Sequence, residues 1–251
     1  MHVVDVLGVR IDDVTYAEAL AILLGAIEAH VPHVVTTPNP EIVMLARRDA
    51  ALRAALRRSA LNIPDGIGLL LAARMAGARL REHVQGTDLV LMLAAESARL
   101  GHRWYLLGGH GDVAARAARA LSSQFPGLRV VGAASGSPLA SDDEVVRASV
   151  AAAGGVDVVL VAYGAPRQEL WLDRNLVPLG IPVGIGVGGV FNYFSGDVPR
   201  APGWVRRAHF EWLHRLISQP WRWRRQLALP AFAALAIRAA VRHRLGLARR
   251  A

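Results

Sequence analysis

"VVLVAYGAPRQELWLDRN", residues Val158–Asn175, decides the fold. An unbroken apolar run rich in Val ends at Tyr163–Gly164. Pro166 then opens a helix whose next two residues are Arg167 and Gln168. A strand that is apolar without alternation is covered on both faces, and an immediate helix after it is the first half of a parallel crossover. The same grammar recurs along the chain. Apolar runs at Val3–Val9, His33–Thr37, Ala60–Ile63, Trp104–Leu107, Leu128–Ala133, Val156–Val161 and Pro182–Val187 predict strands. Between them, Tyr16–Ala29, Glu41–Arg58, Ile67–Ala76, Asp88–Leu100, Val113–Gln124, Asp142–Ala153 and Arg167–Asn175 predict helices. Regular alternation of this kind gives a Rossmann-like α/β fold, a mostly parallel sheet with helices on both faces. In such sheets ligands sit beyond the carboxyl ends of the strands.

Pro199, Pro202 and Gly203 end the alternation. The expected division is a core of residues 1–199 and an Arg/Trp-rich helical C-terminal appendage of residues 200–251. All of the 29 basic residues are Arg. From Arg200 onward twelve Arg face one acid, Glu211, whereas residues 1–199 are slightly acidic. Trp204, Trp212, Trp221 and Trp223 fall in the same stretch. Arg interleaved with Trp suits an anionic membrane surface, and by composition also nucleic acid or a solvated helix face. No apolar run is long enough to cross a bilayer, and the N-terminus has no pattern of a secretory signal. With no Cys there is no disulfide and no thiolate metal site.

The chemistry-bearing residues lie at the strand ends. In "VVTTPNPEIVMLA" Asn39 reads as a helix N-cap before Pro40, and with Thr37 it can also meet a sugar. In "NIPDGIGLLLAARMAG" Asp65 precedes Gly66 where an apolar helix begins. An N-cap explains that acid; the functional alternative is a general base, since a carboxylate among apolar groups is a better proton acceptor. "WYLLGGHGDVAARAARAL" runs a strand into Gly108 and Gly109 and then a helix, an arrangement that lets backbone amides approach phosphate. Arg167 and Gln168 are placed for phosphate or a sugar hydroxyl. "GIGVGGVFNYF" formally contains G-x-G-x-x-G, but its glycines lie within and at the end of a strand. No clear helix follows, so a nicotinamide site is not expected. No D-x-D, H-x-x-x-H or G-x-S-x-G occurs, which disfavours metal-nucleotide, zinc and serine-hydrolase chemistry.

Taken in order, "TPNPEIVMLA", "NIPDGIGLLLAARMAG", "VQGTDLV", "YLLGG", "AYGAPRQELW" and "GIGVGGVFNYFSGDVPRAPGWVRRAHFEWLHRLISQPWRWRRQ" resemble the WecG/TagA/CpsF family of bacterial glycosyltransferases, from about residue 2 to 228. The resemblance implies an inverting, metal-independent enzyme with no cofactor. It would move a ManNAc, ManNAcA or glucose unit from a UDP-sugar to a membrane-held undecaprenyl-diphosphate-GlcNAc. It would lie in the cytoplasm on the inner face of the membrane, without a nucleic acid partner and with self-association open. By the same resemblance Asp65 is the base and Thr37, Asn39 and Gln168 line the pocket; at the strand ends, Gly108, Gly109, Arg167, Gly186 and Gly188 are the expected donor-binding positions. The appendage would supply Arg215, Arg222 and Arg225 to the site and dock on anionic lipid. Asn192 stands where the family usually has Asp, which removes a proton acceptor there, and Ser135–Leu139 lacks the family's aromatic pair. The alternative is a non-catalytic nucleotide-sugar- or nucleic-acid-binding module with a basic tail.

Overall fold

The computed structural model describes residues 2–208, 210–219 and 223–245; for Arg215 and Arg224 it describes the helix they belong to and not their side chains. The main sheet has six parallel strands: β3 (His33–Thr36), β4 (Leu61–Asn62), β5 (Arg103–Gly108), β6 (Arg129–Ala134), β7 (Val158–Ala162) and β8 (Val183–Gly186). Their order is β4-β3-β8-β7-β5-β6. In the middle of the sheet Val158 pairs with Trp104 on one side and Val183 on the other. Successive side chains enter opposite layers. Val158 and Leu160 pack with α1 (Tyr16–Ala29), α5 (Gly86–Leu100) and α6 (Val113–Gln124). Val159 and Val161 pack with α7 (Asp143–Ala151) and α8 (Arg167–Leu179). Both faces are thus dry, which explains the continuous apolar strands.

Several elements differ from the sequence reading, each for a local reason. The stretch expected as one strand at Val3–Val9 is a hairpin of β1 (His2–Val6) and β2 (Val9–Asp13), separate from the main sheet. Leu7 and Gly8 both take positive φ, the geometry of a two-residue hairpin turn, and Asp5 Oδ1 accepts from Gly8 N at 2.8 Å. The single helix expected over Glu41–Arg58 is two, α2 (Pro40–Ala46) and α3 (Ala50–Arg58). Asp49 restarts the second by accepting from Leu52 N at 2.9 Å. The segment after β8, read as no clear helix, forms the short α9 (Val190–Phe194).

The appendage contains α10 (Gly203–Arg207), α11 (Glu211–Ser218), α12 (Trp223–Gln226) and α13 (Ala228–Arg244). Its last helix is part of the folded body. Phe232 and Ala236 share a hydrophobic cluster with the hairpin, α2, α3 and α4 (Ile67–Met75). The earlier helices leave apolar groups in water: Trp204, Ile217 and Trp223 are all more than half exposed. No helix among the described residues is long and apolar enough to cross a membrane.

Phe232 is 4% exposed and is the largest buried side chain that α13 contributes. Phe232→Ala is expected to lower the free energy of unfolding by about 3 kcal/mol, read from urea denaturation, because a Phe-sized void between α13 and α4 cannot collapse fully.

Candidate active site

Among the cavities at the carboxyl edge of the sheet, two are lined by residues that differ in charge. The first, about 370 Å³, lies at the ends of β3 and β4. Its floor is a stripe of α4 (Ile67, Gly68, Leu71, Met75) facing a stripe of α13 (Leu229, Phe232, Ala233, Ala236). Its mouth is polar and acidic, with Asp65, Glu41 and Glu211 beside His83 and Gln85.

Asp65 is held there by a chain of short-range constraints. Three residues upstream, Asn62 is fully buried; its backbone N–H donates to Asp12 Oδ2 at 2.7 Å and its Nδ2 to Leu56 O at 2.9 Å. Its Oδ1 accepts from Ser59 Oγ at 2.7 Å and from Thr36 Oγ1. Pro64 and the Asp65 backbone then turn back onto Pro38, whose carbonyl accepts from Asp65 N at 3.1 Å. The N-cap reading of Asp65 is overturned. Gly66, at φ +128°, is the N-cap residue of α4, and no side chain caps that helix. The carboxylate instead faces the cavity, 31% exposed, with Oδ2 3.4 Å from Gly86 N and Oδ1 3.7 Å from His83 Nε2. Thr37 is buried beside it and donates to Gly186 O at 3.3 Å. A Cβ on Gly86 would meet both Thr37 Cγ2 and Asp65 Oδ2, so these groups converge on one spot. Asn39 caps α2, accepting from Ile42 N at 3.0 Å, and also lines the cavity. The N-cap reading of Asn39 holds.

The second cavity, about 730 Å³, spans the ends of β5, β6, β7 and β8. Arg167 and Arg225 line it, and among the described residues neither is engaged in an ion pair. Gly109, Gly136 and Gly188, all at positive φ, let the backbone form its wall. Tyr163 is buried and its Oη, turned toward Gly136, has no hydrogen-bond partner among the described residues. Asn192 lines the same space. Burial of the Tyr163 ring pushes its phenol up, so the hydroxyl stays a neutral donor. The two cavities share walls. Asn192 and Tyr193, adjacent in α9, line the second and the first respectively, and so do Arg225 and Gln226 in α12.

Two expectations change in detail. The amides after β5 were expected to face phosphate, but Gly109 N donates to Ala162 O at 3.3 Å. Gly108 is needed for packing: a Cβ there would lie 2.7 Å from Ala162 C. Gln168 was expected to reach a ligand; it is buried, and its Oε1 accepts from Gly164 N at 3.1 Å and Gly188 N at 2.8 Å. It clasps the loops after β7 and β8, beneath Gly186, whose Cβ would come within 3.0 Å of its Nε2. Nε2 donates to Glu169 Oε1 at 2.9 Å, which fixes the orientation of the amide. Arg215 lies in α11 with its side chain outside the description, and Arg222 lies outside the described residues. Sequence reasoning missed His83 and the clasping role of Glu169. The motif P-R-Q-E carried the second signal; nothing local to "REHVQG" carried the first.

Comparison with known proteins follows the same residues. Residues 4–246 match the model of the Glycosyl transferase WecG/TagA/CpsF family. An "N-acetylglucosaminyldiphosphoundecaprenol N-acetyl-beta-D-mannosaminyltransferase" of Bacillus subtilis (strain 168) is 36% identical over 209 residues, 82% of this chain and 80% of the relative. A protein of the same name from Bacillus spizizenii is 34% identical over 200 residues, 79% of this chain and 76% of that one.

Burial pushes the Glu169 carboxyl up to about 7, against the hydrogen bond from Gln168, which favours the charged form. An acid whose pKa rises on folding stabilises the fold while it is protonated in both states. That contribution is lost as pH climbs from the unfolded value of 4.5 to about 7. Relative to Glu169→Gln, the wild type should therefore lose about 2–3 kcal/mol of stability between pH 4.5 and 7.5, measured by denaturant melts at each pH.

Proposed function

The chain belongs to the WecG/TagA/CpsF family of glycosyltransferases, and from that premise we propose that it transfers a sugar from a UDP-sugar to a GlcNAc carried on a polyprenyl diphosphate. The observation that carries this reading is the division of charge across α9. An acidic cavity holds the partly exposed Asp65 carboxylate, and an adjoining cavity is lined by Arg167 and Arg225, which make no ion pair among the described residues.

The acceptor hydroxyl enters the first cavity. Asp65 takes its proton as the oxygen attacks the anomeric carbon. A carboxylate hydrogen-bonded from one side and open on the other suits that task, and Glu41 and Glu211 at the mouth accept from sugar hydroxyls while repelling a misplaced phosphate. The donor's diphosphate lies in the second cavity. Negative charge grows there as UDP departs, and guanidinium groups of Arg167 and Arg225 meet it. Base and leaving group then stand on opposite sides of the reacting carbon, which yields inversion. The Asn192 amide is available to orient nucleoside or sugar.

The appendage works at the membrane that carries such an acceptor. Its exposed Trp204, Phe210, Ile217 and Trp223 stand among arginines, a pairing that suits the boundary between acyl chains and anionic headgroups. The tail also closes the site, since Trp212, Gln226 and Arg225 line its cavities. Because α13 is part of the folded body, point changes test this better than truncation.

Three measurements follow. A screen of UDP-sugars with a short-chain polyprenyl-diphosphate-GlcNAc should give one disaccharide-lipid product of inverted configuration, identified by mass spectrometry and NMR. Asp65→Asn should lower turnover about 10²–10⁴-fold while calorimetry shows UDP still bound. Turnover equal to wild type would remove Asp65 from the chemistry. Trp204→Ser combined with Ile217→Ser should reduce co-sedimentation with phosphatidylglycerol vesicles and leave UDP binding unchanged.

A further inference from the structure

The segment between α4 and α5 grips Asp65 from one side. Val84 N donates to Pro64 O at 3.1 Å, which seats this segment against the Asp65 turn. From that seat Gly86 N reaches one carboxylate oxygen and His83 Nε2 lies 3.7 Å from the other. The two side chains differ in depth: the carboxylate is 31% exposed toward the cavity and the imidazole 10%. We propose that His83 is the second half of the catalytic base, a positioning residue that stands beside the Asp65 carboxylate and receives from it the proton of the acceptor hydroxyl. The inference rests on the transfer reaction proposed above.

The step balances as follows. The acceptor oxygen forms its bond to the anomeric carbon with one of its lone pairs. The bond from that carbon to the β-phosphate oxygen breaks, and its electron pair leaves with UDP. The hydroxyl proton passes to Asp65 and on to Nε2 of neutral His83, leaving a carboxylate beside an imidazolium. A carboxylate alone is a poor proton store near neutral pH, whereas imidazole changes charge in that range. Acidic groups surround the ring. Glu41 from α2 and Glu211 from α11 line the same cavity, and Glu82 and Asp88 flank the segment.

Those acids are themselves placed. Glu82 accepts from Tyr16 N, Glu211 from Gln85, and Glu41 from Gln226, while Asp88 pairs with Arg200 and Arg206. Arg81, two residues before His83, pairs with Asp13 and Glu18. Tyr16, behind the pair, is pushed up by burial and keeps its proton.

The test uses the full chain, a UDP-sugar shown to be a donor, and a short-chain polyprenyl-diphosphate-GlcNAc, with kcat followed from pH 5.5 to 8.5. Wild-type kcat should fall toward acid as His83 takes up a proton and can no longer receive one. His83→Gln should lower kcat at pH 7.5 roughly 10- to 100-fold, abolish that acid limb and leave the donor KM unchanged. His83→Arg, a permanent cation, should show the low rate at every pH. Thermal melting and UDP calorimetry establish that each variant is folded, and His83→Asn replaces any variant that is not. A His83→Gln enzyme with wild-type kcat, or one that is slow yet keeps the acid limb, would overturn the pair. If wild type transfers, Asp65→Asn is inactive and His83→Gln is normal, the pair falls and the reaction stands. If wild type transfers no sugar from any donor, the reaction falls and the pair with it.

Discussion

Asn62 is the constraint on which the site depends. Its buried amide is hydrogen-bonded to the hydroxyls of Thr36 and Ser59 and to Leu56 O, while its backbone N–H meets Asp12. These partners come from β3, the end of α3 and the hairpin. A strand only two residues long is too short to be fixed by ladder bonds alone, and β4 is held at the sheet edge by this polar knot. Each member of the knot is buried, so an unmade bond there would leave a desolvated group without a partner, a penalty of about 1–3 kcal/mol. That penalty fixes where the chain leaves β4, and Asp65 follows three residues later with little freedom to stray.

From that fixed point the edge of the sheet divides its labour by charge. The acidic mouth and the arginine-lined cavity meet at α9 and α12, and each excludes what the other takes. A diphosphate among Glu41, Asp65 and Glu211 would face like charges in a partly desolvated space. The wall between the cavities depends on Gln168, which ties the loops after β7 and β8 to one carbonyl oxygen. Gln168 thus shapes the arginine-lined cavity from beneath. Glu169 then secures Gln168, and its raised pKa is the cost of placing a carboxyl where no water reaches.

The sheet was legible because a strand covered on both faces has to be continuously apolar, and an apolar run marks the place of each of the six parallel strands. The hairpin was hidden because Leu7 carries no turn signal; only Gly8 does, and Leu at positive φ is set by the pairing on either side. Asp65 was visible as a lone acid, yet its role was ambiguous, since two adjacent residues competed for the cap and only the backbone angle of Gly66 decides between them. Gln168 was read as facing a ligand because polar groups at helix starts generally do. Its burial is a packing outcome, set by Gly186 having no side chain to displace it. His83 had no local pattern at all, and it meets Asp65 only because Val84 pairs with Pro64 across the fold.

The appendage is fastened at both ends. At its start Arg200 and Arg206 pair with Asp88, and at its finish α13 is sunk into the body through Phe232, Ala236 and Ala240. The helices between, which roof the two cavities, therefore form a strap and not a free arm. A strap closes over a substrate with a small loss of chain entropy, because its ends are already placed.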